Sequence, residues 1–163
     1  MRLLLIFALL PIFCFGQQEP QTSLNYDSNP FYNPALMVNQ YKLNISGEHR
    51  RQWVGFDGAP VVSWANASYE VAKINSSFGF SYLNNQLGAQ QINEFKLGYA
   101  YRFVIANAHQ LIPGIHLGFQ NSALDGTKLD PIDGSDPNII SSNQAAYAFV
   151  MGLGIQYRFR HLI

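Results

Sequence analysis

The chain of 163 residues has a single cysteine, no net charge at pH 7 and only 12% charged side chains. One cysteine excludes a disulfide framework, and because Cys14 falls in a leader-like stretch, thiolate zinc sites and cysteine nucleophiles drop out of the mature chain. Ten basic residues balanced by ten acidic ones leave no basic field to hold nucleic acid. Long apolar runs are missing too, since the stretch from Leu3 to Phe15 falls short of the roughly 20 residues that carry a helix across a bilayer. Signatures of catalysis are equally absent: there is no Gly-x-Ser-x-Gly, His-Glu-x-x-His or phosphate loop, and the four histidines have no metal-ligand spacing. No catalytic residue, resident metal or cofactor is therefore assigned, and the chain reads as a non-enzyme. What is abundant is aromatic, 14% of the residues. With charge at half the roughly 25% of ordinary soluble domains, that mixture is neither disordered nor typical of a water-exposed fold.

Arg2, the apolar run to Phe15 interrupted by Pro11, and Gly16 have the layout of a secretory signal peptide over residues 1–16, which predicts export. Residues 17–40 are polar and contain two Asn-Pro steps, Asn29-Pro30 and Asn33-Pro34, which favour turns. They are expected to form a periplasmic or lumenal entry segment with little regular structure.

From Tyr41 to Ile163 the periodicity is two. Phe95, Leu97, Tyr99, Tyr101 and Phe103 alternate with Glu94, Lys96, Gly98, Ala100 and Arg102. The last segment repeats this, with Tyr147 through Phe159 greasy at every odd position and small or polar residues between them. Six strands are expected, at about 41–51, 61–72, 76–83, 92–103, 109–120 and 145–159. Connections 2–3 and 4–5 read as short and 1–2, 3–4 and 5–6 as longer, the alternation of an outer-membrane barrel with short periplasmic turns.

A soluble β-domain alternates as well, but its solvent face carries charge. Here the non-greasy faces are mostly Gly, Ser, Ala, Gln and Asn, a poor water-facing surface and a reasonable lining for a lumen. Aromatics at strand ends, including Tyr69, Tyr82, Tyr101 and Tyr157, suit the headgroup boundary. The expected fold is thus all-β, an antiparallel transmembrane barrel, with Glu94, Lys96, Arg102, His116 and Arg158 as lumenal charges. Gly98→Ser is expected to be tolerated in that lumen. Single-chain barrels begin at about eight strands, so six imply either two more within residues 17–40 or a place in a larger barrel.

The stretch Arg51-Gln52-Trp53-Val54-Gly55-Phe56-Asp57-Gly58-Ala59-Pro60, preceded by the Asn-Pro repeat of residues 29–34, resembles the PorP/SprF family of type IX secretion system membrane proteins. Gly79 to Gly88, Leu97 to Arg102 and Asp130 to Pro137 are similar to that family in the same order. The resemblance implies an outer-membrane β-barrel of a Gram-negative, Bacteroidota-type bacterium, serving gliding motility or protein secretion by exporting or attaching large surface adhesins. It also implies that family members continue with further strands, so the chain is expected to be a truncated version. Implied partners are other type IX secretion components, a secreted adhesin and the lipid bilayer. Gln52, Trp53, Gly55, Phe56, Asp57, Gly58 and Pro60 form the family motif and a candidate partner contact, the equal alternative being a girdle tryptophan beside a tight Asp57-Gly58 turn.

Asp125, Asp130, Asp133 and Asp136 share the longest loop with Gly126 and Gly134. Their carboxylates suit calcium, although the spacing matches no EF-hand, and the plainer reading is a set of turns stiffened by Asp-Pro. Two other functions fit the pattern: a barrel transporting small solutes and a soluble secreted β-domain that binds a ligand.

Overall fold

In the computed structural model, residues 30–39, 41–106, 108–129 and 142–159 are described. The signal-peptide stretch, Asn29, and the aspartates Asp130, Asp133 and Asp136 lie outside them. Seven strands form one antiparallel sheet: β1 (Leu43–Arg51), β2 (Val61–Val71), β3 (Ser76–Leu87), β4 (Gln90–Tyr101), β5 (Phe103–Ala106), β6 (His109–Leu124) and β7 (Gln144–Phe159). Each strand pairs with the next, except that β4 and β5 both pair with β6. Their registers are continuous, Ala100 opposite Gly114 and Phe103 opposite Leu111, so the two are halves of one path and the sheet has six paths. The break falls at Arg102, whose amide donates to the Asn75 carbonyl at 2.8 Å, one step beyond the Ser76–Tyr101 pair in the same register. No pairing joins β1 to β7 among the described residues, so the sheet has two free edges.

Strand ends differ from the sequence expectation. β3 runs on to Leu87 and β4 begins at Gln90, which leaves Gly88 and Ala89 as the connection in place of a long loop. Asn84, Asn85 and Gln86 read as turn residues, yet they pair in register with Asn93, Ile92 and Gln91. Their amides satisfy one another instead of the backbone: Asn84 Nδ2 and the Tyr82 hydroxyl both donate to Asn93 Oδ1, at 2.8 and 3.0 Å. The alternation of long and short connections therefore fails at this hairpin. Similarly, β6 extends to Leu124, beyond the expected end at residue 120.

Alternation separates the two faces. Outward on neighbouring strands stand Tyr69, Phe78, Tyr99, Ile115 and Leu153, and one pair further on Ala67, Phe80, Leu97, Leu117 and Met151. All of these but Ala67 and Ile115 are exposed, Leu97 at 69% and Leu153 at 75%, whereas the inward Ser77, Lys96 and Ala100 are at most 2% exposed. An apolar face left open while polar groups are buried inverts the soluble arrangement and matches a sheet solvated by lipid outside. From Tyr147 to Tyr157 on β7 the strand rises about 34 Å, which at a tilt of about 40° gives a band near the roughly 25 Å apolar height of outer-membrane barrels.

The inner face is covered by residues 30–39. They hold a 3-10 turn, Pro34–Met37, and no strand, so these residues add none to the count. Asn33 caps the turn, its Oδ1 accepting from Ala35 N at 3.0 Å, and Pro34 sits at the first helical position, where its missing N–H is no loss. Ala35, Met37 and Val38 pack with Ala100 and Ile112, while Phe31 packs with Trp64 and Leu83.

Candidate functional site

Small residues in adjacent strands make room for this inner strap. Ser77, Ala100, Gly114 and Gly154 lie side by side across β3, β4, β6 and β7. A Cβ at Gly114 would come 2.6 Å from Ala35 N and 2.7 Å from the Pro34 carbonyl carbon, so the strap's backbone lies directly on that glycine. One pair over, Gly79 and Gly98 leave space for Met37, and the His116 ring lies over Gly152.

Five inward charges were expected from the sequence, and the structure sorts them into two groups. In the first, Lys96 Nζ pairs with Glu94 Oε1 at 2.6 Å, with side-chain exposures of 2% and 10%. The same ammonium lies 3.6 Å from the Phe31 ring centroid and donates to the Phe31 carbonyl at 3.4 Å. A desolvated cation over a ring contributes on the order of 2 kcal/mol, so Lys96 ties the strap to the sheet as well as neutralising Glu94. His116, 5% exposed, faces inward two residues before Gly118, the residue opposite Lys96. In the second group Arg102 pairs with Glu70 at 2.5 Å and Arg158 donates to the Val38 carbonyl. Glu70 was missed by sequence reasoning although it occupies an even, inward position of β2. Its signal was a lone acid on a face of Ser, Asn and Trp, the residues Trp64, Asn66 and Ser68.

The motif of residues 52–60 forms the connection between β1 and β2, at the other end of the strands from Arg102. Its base is closed by Gln52 N donating to the Pro60 carbonyl at 3.0 Å, and its interior by two turn bonds, Phe56 N to Trp53 O and Ala59 N to Phe56 O. Trp53 is left-handed, with φ of 48°, a conformation costing a bulky residue roughly 1–2 kcal/mol. Gly58, with φ of 72°, approaches Gly88 so closely that a Cβ would stand 3.1 Å from its Cα, and Gly88 N donates to Gly58 O at 2.9 Å. The loop is thereby fixed to the β3–β4 turn. It presents Trp53, Val54 and Phe56 to the outside at 69, 76 and 71% exposure.

Asp125 caps the 3-10 turn Gly126–Lys128 and accepts from both Thr127 N, at 3.1 Å, and Thr127 Oγ1, at 2.6 Å. The threonine hydroxyl, more than any other contact, holds its carboxyl below the ordinary aspartate range. Among the described residues no group of three or more His, Cys, Asp and Glu could hold a metal ion, and no helix is long and apolar enough to cross a membrane. The expected calcium ligands Asp130, Asp133 and Asp136 fall outside those residues.

An all-β antiparallel sheet with a greasy outer face and a polar inner one defines a membrane protein of the β-barrel type. The family model for the type IX secretion system membrane protein PorP/SprF matches residues 14–162, and the chain belongs to this family. Neither the curated proteins nor the solved structures include a match.

Proposed function

We propose that the chain is a non-enzymatic outer-membrane component of type IX secretion, reached through the signal peptide of residues 1–16, that anchors a secreted adhesin at the cell surface. The observation carrying this reading is the loop of residues 52–60. A rigid backbone with two large aromatic side chains projecting from it loses little entropy on binding, and aromatic side chains are enriched at protein interface hot spots. With the short connections β2–β3 and β5–β6 facing the periplasm, this loop stands outside. The alternative of a small-solute barrel is less well supported, because the strap fills the inner face where a solute would pass.

The test is a Trp53→Ala/Phe56→Ala variant in the native bacterium. Adhesin on the surface should fall several-fold while the amount of the chain in the outer membrane stays at the parent level. Unchanged adhesin display at equal barrel abundance would sink the proposal.

A further inference from the structure

Toward the motif-loop end the two faces of the sheet exchange character. The last greasy outward row holds Tyr82, Phe95 and Phe119, and the next outward row in register is Ser63, Asn84, Asn93 and Asn121, on β2, β3, β4 and β6. Behind it, on the inner side, Phe31, Trp64 and Leu83 are buried together. Polar groups outside and apolar ones inside are the arrangement of a surface in water, so the lipid band ends between these two rows. The amides at its margin are held in place. Asn93 Oδ1 accepts from both Asn84 Nδ2, at 2.8 Å, and the Tyr82 hydroxyl, at 3.0 Å. Both amides are half-buried, and this bonding leaves Asn84 Oδ1 as an acceptor beside Asn93 Nδ2 as a donor. Neither atom, nor the Asn121 amide on the next strand, has a partner among the described residues. From β2 to β6, no charged side chain stands in this row or in the one above it, Val61, Gln86, Gln91 and Ala123.

We propose that these amides bind the neutral sugar of an outer-leaflet glycolipid. Adjacent hydroxyls of a pyranose ring each donate and accept, so one donates to Asn84 Oδ1 while its neighbour accepts from Asn93 Nδ2, and Asn121 takes a third. The Tyr82 hydroxyl fixes the pair before the ligand arrives, which lowers the ordering cost of binding. A phosphate headgroup is disfavoured because the row offers it no cation. The amides face sideways, one row above the lipid-facing rings, so the ligand lies beside the wall at headgroup height and not over its mouth. All three asparagines stand on interior strands, and the free edges of β1 and β7 do not shape the site. The inference rests on the proposed function only for orientation, with the motif loop outside.

The experiment extracts the tagged full chain from outer membranes of the native bacterium in a detergent without sugar groups. Hexose and long acyl chains carried per chain are then measured by mass spectrometry. The parent should carry both, and should keep them through a wash in about 1 M salt, because the contacts are uncharged. Asn84→Leu/Asn93→Leu should carry about tenfold less, the effect of two hydrogen bonds lost together. Asn121→Leu, which leaves the bonds of Asn93 intact, should carry several-fold less and serves if the double variant fails to reach the membrane. Lys73→Gln, at the other end of the strands, should match the parent. Hexose kept at the parent level by the asparagine variants, or a parent that carries none, overturns the proposal. So does hexose stripped by salt, which would assign it to phosphate contacts, or hexose without acyl chains, which would make it free polysaccharide. Trp53→Ala/Phe56→Ala should leave the hexose unchanged, so failure here and failure of the anchoring proposal are separable.

Discussion

At the scale of single residues, the outward row makes the sharpest demand. Leu97→Arg and Leu153→Arg each place a cation against lipid, at a cost of about 2–4 kcal/mol near mid-membrane, and each should lower the amount of the chain assembled in the membrane of the native bacterium, read by immunoblot of the membrane fraction. The inner glycines divide according to what covers them. Gly98 faces the flexible end of Met37, so Gly98→Ser must displace a thioether and is not the free substitution that the composition of the face suggested. At Gly114 the obstacle is strap backbone, and Gly114→Val should expel the strap; limited proteolysis near Pro34 should cut the Gly114 variant faster than the Gly98 one. Asp125 offers a pH test. Its folded pKa is depressed, so the cap's contribution is complete above the ordinary aspartate pKa and is lost as pH falls through the depressed value. Amide exchange at Thr127 should follow that loss, and in Thr127→Ala the titration of Asp125 should return toward the ordinary range.

The elements show which parts of the architecture were legible in advance. Strands announced themselves wherever a large apolar residue recurred at every second position, because lipid outside and small or polar groups inside leave nothing else for the pattern to mean. β4 and β7 are such cases. The far half of β3 was not legible: Asn84 and Asn85 look like turn formers in isolation, and only their cross-strand partners make them strand residues. The strap was half legible. Asn33 and Pro34 marked a turn, but nothing local told Phe31 that it would lie beneath Lys96, 65 positions along the chain. Such contacts depend on which strands meet, and the alternation alone does not specify that. The strap supplies its own prediction. Phe31 is 2% exposed between Trp64 and Leu83, so Phe31→Ala should cost about 3–5 kcal/mol and leave Trp64 wetter. A red shift of Trp64 emission, measured with Trp53 replaced by Phe, checks it; an unchanged spectrum would mean that the strap is held by other contacts.

For the whole molecule the decisive feature is the pair of free edges on β1 and β7. Every unpaired N–H and C=O facing hydrocarbon costs several kcal/mol, so six paths cannot rest in a bilayer as an open sheet. Among the described residues nothing pairs these edges, and we expect residues 17–163 produced alone to aggregate instead of giving a heat-modifiable monomer on a gel. A compact heat-modifiable band from that chain would show that the edges meet each other. Closure, however it is achieved, also fixes an order of events. Residues 30–39 rest on the concave side, gripped through glycines by Met37 and Ala35 and fastened by Lys96 and Arg158. A finished wall would admit ten residues of backbone only through its two mouths, whereas an open sheet offers them its whole inner face. We therefore expect the strap to be in position while the sheet is still open, and the strands to assemble around it as a mould around its former.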